Sequence, residues 1–237
     1  MALPEGTDPE VAGRAAALEA RFGSESPQKI LAAALDRYGP DEIAAVTSFG
    51  AESAVWLHML AGIDPNVPIL FIDTGKHFAA THRYRETLTE AFALTDVRLI
   101  RPDAAALSAE DGNGMLFSAD PDHCCRLRKT EPLKRALLPF PAWINGRKRH
   151  QSATRAHIPA FEADGTRLKI NPLANWGREE IAAYAARFDL PRNPLVKEGY
   201  ASIGCMPCTS QVRPGEDERA GRWRGRDKTE CGIHLGL

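Results

Sequence analysis

No run of apolar residues in this 237-residue chain approaches the ~18–20 needed for a membrane-spanning helix. Charge of one sign is not in excess either. Thirty Lys and Arg face 31 Asp and Glu, for a formal net charge of −1, which excludes the strongly basic surface of a non-specific nucleic-acid or membrane binder. Internal repeats and low-complexity segments are absent, which excludes a repeat array. The opening residues MALPEGTDPE are acidic and hold neither a basic n-region nor an apolar h-region. No secretory signal is therefore expected, and the expected address is the cytoplasm. The phosphate-loop consensus GxxxxGK[ST] is missing, which excludes a kinase-like nucleotide site. Cysteine is scarce: Cys124, Cys125, Cys205, Cys208 and Cys231 are odd in number, and two are adjacent. That pattern argues against a disulfide framework and leaves metal, redox or nucleophilic chemistry.

What is there suits one α/β domain, or one domain with an appendage, at roughly 100–200 residues per domain. Helices are expected over 9–21, 27–38, 52–61, 78–93, 123–138 (interrupted near Pro132) and 178–188. Strands are expected over Ile43–Thr47, Val67–Asp73, Val97–Arg101 and Ala142–Asn145. Near-continuous apolar strands alternating with helices imply a mostly parallel sheet with helices on both faces. Ligands then bind beyond the carboxyl ends of the strands. From about residue 209 the character changes. Residues 213–228 hold six basic and four acidic side chains, with only Ala220 and Trp223 apolar. Burial of so little apolar surface does not offset ordering entropy, so a mobile tail is expected. The expected division is 1–208 as the folded domain and 209–237 as a flexible C-terminal tail.

Five segments carry chemistry. The turn Ser48-Phe49-Gly50-Ala51-Glu52-Ser53 leads from a strand into a helix, where backbone N–H groups and a helix dipole favour an anion. Its candidate binding residues are Ser48, Gly50 and Ser53. Small and polar residues at Asp73-Thr74-Gly75 leave room for a nucleotide at the same sheet edge, which adds Thr74 and Gly75. Adjacent Cys124 and Cys125 combine with the CxxC of Cys205 and Cys208 into four thiols that suit zinc or a 4Fe–4S cluster. Adjacent side chains converge poorly on a single ion, which favours the cluster. Basic residues crowd 126–129, 147–155 and 219–222, and arginine forks in a chain of no net positive charge point to a small polyanion. Cys231 and His234 close a segment with few structural reasons to keep them.

Together the segments SFGAES (48–53), IDTGKHF (72–78), HCCRLRK (123–129), GRKRHQSATR (146–155), NPLANW (171–176), GYASIGCMPCT (199–209), GEDERAGRW (215–223) and KTECGIH (228–234) resemble the assimilatory adenylylsulfate reductases. These form the cysteine-ligated branch of the phosphoadenylylsulfate reductase family. The resemblance spans about residues 43–235, and it implies a fold similar to the adenine-nucleotide α-hydrolases. It implies a 4Fe–4S cluster on Cys124, Cys125, Cys205 and Cys208, Cys231 as nucleophile, and Lys129 beside both cluster and substrate. By the same carry-over Arg155, Arg219, Arg222 and His234 line the anionic end of the pocket. Phe49 and Glu52 depart from the ancestral SGGxDS loop, as suits a protein that does not cleave ATP. The implied reaction is reduction of adenosine 5'-phosphosulfate (APS) to sulfite and AMP through a cysteine S-sulfonate, in sulfate assimilation and cysteine biosynthesis. Thioredoxin or a similar dithiol is the implied reductant. Neither nucleic acid nor membrane is an expected partner, and a homo-oligomer is compatible with the sequence. Three rival readings are a reductase of the 3'-phosphorylated substrate (PAPS), a tRNA-thiolating adenylase, and a cluster-binding nucleotide sensor.

Overall fold

Alternate residues of strand β1 (Ile43–Thr47) enter two separate cores. Ile43 and Ala45 join a cluster with Ile69, Phe71, Ala142, Ile144, Leu168 and Ile170, while Ala44 and Val46 join Leu70, Ile72, Leu133, Leu137 and Trp143. A strand covered on both faces must be apolar throughout, and every residue of β1 is buried. A computed structural model describes residues 6–233. Its remaining strands are β2 (Ile69–Ile72), β3 (Val97–Ile100), β4 (Ala142–Asn145), β5 (Phe161–Asp164) and β6 (Arg167–Ile170), in the spatial order β3-β2-β1-β4-β6-β5. All neighbouring pairs are parallel except β5 with β6, which are antiparallel.

The helices are α1 (Pro9–Phe22), α2 (Pro27–Arg37), α3 (Ser53–Ala61), α4 (Ala79–Ala91), α5 (Ala104–Glu110), α6 (Leu116–Ala119), α7 (Pro121–Cys125), α8 (Glu131–Ala136) and α9 (Arg178–Arg187). Side chains from α1, α2, α3, α4 and α9 fill the larger core, and α8 covers the other face. The α1 and α2 starts are explicit in sequence. Asp8 and Ser26 accept from first-turn N–H groups, and a proline follows each cap. Helix α3 is apolar on nearly every side, as a helix enclosed between sheet and neighbours requires.

The expected strands β1 and β4 coincide with the observed ones, and β2 and β3 are shorter by a residue or two at their ends. The expected 123–138 helix is split. A π-helical turn, Arg126–Thr130, separates α7 from α8, with Pro132 lying inside the first turn of α8. The β5–β6 hairpin was not expected from the sequence pattern. Chain order runs outward from β1 to β3 and returns to β4 on the other side of β1. That reversal opens a crevice at the carboxyl ends of β1 and β4.

Candidate active site

The crevice is a single cavity walled by the loops that follow β1 and β4, by the end of β2, and by residues 201–204, 218–223 and 230–233. In the loop after β1, Phe49 is fully buried and adopts φ 46°, a left-handed conformation that disfavours side chains other than glycine. Such a residue costs on the order of 1–3 kcal/mol. Several contacts hold it: Phe49 N–H donates to Thr47 Oγ1 at 3.1 Å, Asn193 Nδ2 donates to Phe49 O at 3.2 Å, and its ring meets Phe71 edge-on at 5.4 Å. The loop delivers Ser48, Gly50 and Ser53 to the cavity wall. Glu52 precedes α3 without a side-chain cap bond, so no cap side chain takes up the first N–H groups of the helix.

After β4 the wall is Asn145, Gly146, Arg147 and Lys148. Gly146 passes so close to Trp56 that a Cβ would lie 2.6 Å from the indole Nε1. Lys148, 2% exposed, pairs with Glu52 at 2.8 Å. Burial holds its ammonium below the ordinary lysine range, and Glu52 offsets only part of that. Arg147 is ion-paired with Glu162 and bonds Asn171 Oδ1. Arg155 holds Glu230 in a fork: Nε reaches Oε1 and Nη2 reaches Oε2, both at 2.7 Å. Arg219 approaches the same carboxylate at 3.4 Å.

Segment 209–233 lies against the domain as one side of the cavity. Its anchors are mostly polar. Arg226 Nη1 donates to Phe117 O at 2.8 Å, Trp223 N–H donates to Cys208 O at 3.1 Å, and Glu218 pairs with Arg178 of α9 at 2.5 Å, while Thr209 and Arg222 bridge within the segment itself. Trp223 is 3% exposed, with the Arg222 guanidinium 4.4 Å from its ring centroid. Cys231 lines the cavity together with Arg222 and Lys129. Among the described residues neither Lys129 nor Arg222 has a carboxylate ion pair.

Cys124, Cys125, Cys205 and Cys208 line a second, smaller pocket, and Lys129 belongs to the walls of both. Thr74 Oγ1 lies 3.2 Å from Cys205 Sγ. Burial and neighbouring thiols push Cys124 up to about 11 and Cys208 upward, and burial also raises Cys125. Cys205 goes the other way, because Lys129, Thr74 and Arg222 outweigh its burial. Burial alone would lower Lys129, but Cys205, Cys231 and Cys125 outweigh it and raise its value. Among the described residues no three His, Cys, Asp or Glu side chains are grouped as a single metal ion needs.

A phosphoadenosine phosphosulfate reductase domain profile matches residues 42–211, most of the chain. The chain belongs to this reductase family. It is 52% identical over 228 residues to the adenosine 5'-phosphosulfate reductase of Mesorhizobium japonicum, covering 96% of this chain and 90% of the relative. It is also 42% identical over 217 residues to the phosphoadenosine 5'-phosphosulfate reductase of Gloeobacter violaceus, covering 88% of each. Among solved structures, the phosphoadenylyl-sulfate reductase of Candida auris in its phosphate complex superposes with a TM-score of 0.71. It shares 27% identity and covers 90% of this chain and 99% of its own.

Within this reductase-family fold, eight of the residues singled out from sequence share the main cavity: Ser48, Gly50, Ser53, Lys129, Arg155, Arg219, Arg222 and Cys231. Thr74 and Gly75 are not in its wall. Thr74 is buried against Cys205, and Gly75 is an exposed turn glycine with φ 70°. His234 lies outside the described residues. Sequence reading did not single out Trp56, His77, Gln151, Trp223 or Glu230 as lining residues. Of these, His77, Gln151, Trp223 and Glu230 stand inside the quoted motifs 72–78, 146–155, 215–223 and 228–234, the one signal that could have flagged them, and only Trp56 lies outside them all. No helix among the described residues is long and apolar enough to cross a membrane.

Proposed function

We propose that this chain reduces adenosine 5'-phosphosulfate to sulfite and AMP, with thioredoxin or a similar dithiol as reductant, in cytoplasmic sulfate assimilation and cysteine biosynthesis. The observation that carries the reading is Cys231 on the wall of one cavity with Lys129 and Arg222, at the strand ends of a reductase-family fold. Adenosine lies along the ends of β1 and β4, and the phosphosulfate faces the cations. The Cys231 thiolate attacks the sulfate sulfur, the bond from sulfur to the bridging phosphate oxygen breaks, and AMP leaves with that electron pair. Negative charge grows on the departing phosphate, so preorganised Lys129 and arginine donors stabilise the transition state more than the ground state. A thiolate of the dithiol then attacks Cys231 Sγ and expels sulfite. Its second thiol resolves the mixed disulfide, leaving an oxidised dithiol and a free Cys231. Segment 209–233 acts as a moving arm, closing over substrate and later presenting the sulfonate to the reductant.

Cys124, Cys125, Cys205 and Cys208 would hold a 4Fe–4S cluster. Four thiols around one pocket, three of them held in the neutral form by burial and mutual repulsion, are a donor set that a cationic cofactor would complete. The adjacent Cys124 and Cys125 suit the separate corners of a cluster better than one tetrahedral ion. When bound, such a cluster supplies fixed charge beside Lys129. The deciding experiment is anaerobic sulfite release from APS with thioredoxin and its reductase, run beside an identical PAPS reaction. A strong APS preference is expected. If neither nucleotide yields sulfite from iron-replete protein, the reaction is wrong; a PAPS preference would reassign the substrate. Cys231→Ser should bind nucleotide and retain visible absorbance but release no sulfite, and any normal turnover would remove Cys231 as nucleophile.

A further inference from the structure

Arg155 was read from sequence as a group for the substrate's anionic end, yet each of its guanidinium nitrogens already has a partner. Nε and Nη2 hold the two Glu230 oxygens at 2.7 Å, and Nη1 reaches Gln151 Oε1 at 2.6 Å. Arg219 is likewise engaged, by Glu230 and by the carbonyl of Thr229 at 2.6 Å. Arg155 and Glu230 are each 8% exposed. Glu230 is the residue before Cys231, so its carboxylate is at once an anion in the arginine site and the tether of the cysteine-bearing segment.

We propose that Glu230 occupies the anion site in place of substrate: the phosphosulfate of the bound nucleotide and the Glu230 carboxylate compete for the Arg155 fork. The inference rests on the proposed function for its ligand class, an adenine nucleotide with a strong anionic group. A buried guanidinium fork accepts one planar pair of oxygens in bidentate geometry, so the two occupants exclude one another. Left without a carboxylate, Arg155 and Arg219 would be uncompensated cations at a buried site, which is costly. Glu230 supplies that compensation in the resting protein. Its displacement by substrate frees the chain around Cys231 at the moment the nucleophile must reach the sulfur. The tether also sets apparent affinity, because ligand binds only the fraction of molecules in which the fork is open.

The test uses full-length, iron-replete protein and compares wild type with Glu230→Gln and Glu230→Asp. Glutamine keeps the shape and removes the charge; aspartate keeps the charge. AMP binding, measured by calorimetry, should be at least about fivefold tighter in Glu230→Gln than in wild type. Glu230→Asp should stay near wild type, and uncharged adenosine should bind all three alike. Equal or weaker AMP binding by Glu230→Gln overturns the proposal, as does a failure of AMP to bind any of the three. A variant-free measurement guards against misfolding. Saturating AMP should speed amide exchange at residues 229–233 of wild type, and slower or unchanged exchange there overturns the competition. Sulfite release is scored separately: if it fails while the AMP effects hold, the reaction is wrong and the Glu230 competition stands.

Discussion

A methyl group added at Gly146 and one added at Gly204 would meet opposite kinds of neighbour in the same cavity wall. At Gly146 the new Cβ lies 2.6 Å from Trp56 Nε1 and 2.8 Å from Cδ1. Trp56 is 2% exposed and packed in the core, so its ring can give way only by disturbing that packing. Gly146→Ala is expected to cost about 2 kcal/mol and lower Tm by about 4–8 °C. An unchanged Tm would mean the loop after β4 has slack that the close approach denies. At Gly204 the Cβ collides with the Arg222 guanidinium, 2.6 Å from Cζ. That is the end of a flexible side chain and can swing away. Gly204→Ala should therefore leave Tm within about 1 °C but weaken anionic nucleotide binding about tenfold, with adenosine unaffected, as loss of one charged donor implies. Equal AMP affinity in variant and wild type would remove Arg222 from the anion site. The cysteines and the arginine clusters were legible in the sequence because few other roles explain such residues at such spacings. Trp56 and Glu230 were not, because their meaning comes from partners 90 and 75 positions away that only the fold brings close.

At the scale of elements, the parallel core was readable because β1 and β4 are apolar up to their last residues, Thr47 and Asn145. The β5–β6 hairpin was hidden by buried charge. Glu162, Asp164 and Lys169 interrupt its apolar residues, yet Lys169 is 2% exposed and Asp164 6%. They are tolerated because they satisfy one another: Lys169 lies 3.6 Å from Glu162 and 4.8 Å from the Trp143 ring centroid, and Glu162 also pairs with Arg147. The π-turn of Arg126–Thr130 was equally invisible to a periodicity of 3.6. It holds one extra residue between the cysteine pair and α8, and Lys129 lies within it. Deleting Arg126, exposed and only weakly paired to Glu110 at 3.7 Å, should restore α-helical spacing. It would shorten the link from Cys124 and Cys125 to Lys129 by one residue, about 1.5 Å of rise, and reset where the pair faces relative to Lys129. The expected product keeps wild-type far-UV circular dichroism but binds much less iron. Full iron content in a folded deletion variant would show that the π-turn does not set the cysteine geometry.

Over the whole molecule, the C-terminal segment shows how a chain with little apolar surface can still dock. Hydropathy counts only Ala220 and Trp223 between 213 and 228, and neither core cluster draws on this stretch. What hydropathy does not count is the Glu230 fork on Arg155, the Arg226 bond to the Phe117 carbonyl, the Glu218–Arg178 pair and the Trp223 N–H bond to the Cys208 carbonyl. Docking built on one buried carboxylate has a definite pH dependence. Burial acts to raise Glu230, but the Arg155 hydrogen bond and the charges of Arg155, Arg219 and Arg147 outweigh it and hold the carboxyl below the ordinary glutamate range. A depressed acid stabilises the docked form fully above its undocked pKa, about 4.3, and loses that contribution as pH falls through the docked value. Protection of residues 223–233, as amide exchange corrected for intrinsic rate, should thus be level from pH 8 to 5 and fall only below about 4. The other ion pairs that tie the segment to the domain, Lys228 with Asp122 and Glu218 with Arg178, each have a largely exposed partner and contribute little. Glu230→Gln isolates its share. Without the carboxylate, protection should be low and nearly flat across the range, whereas a retained acid transition of wild-type size would take the docking away from Glu230. A loss of wild-type protection between pH 7 and 6 would likewise exclude Glu230, since its depressed carboxyl is ionised throughout that window.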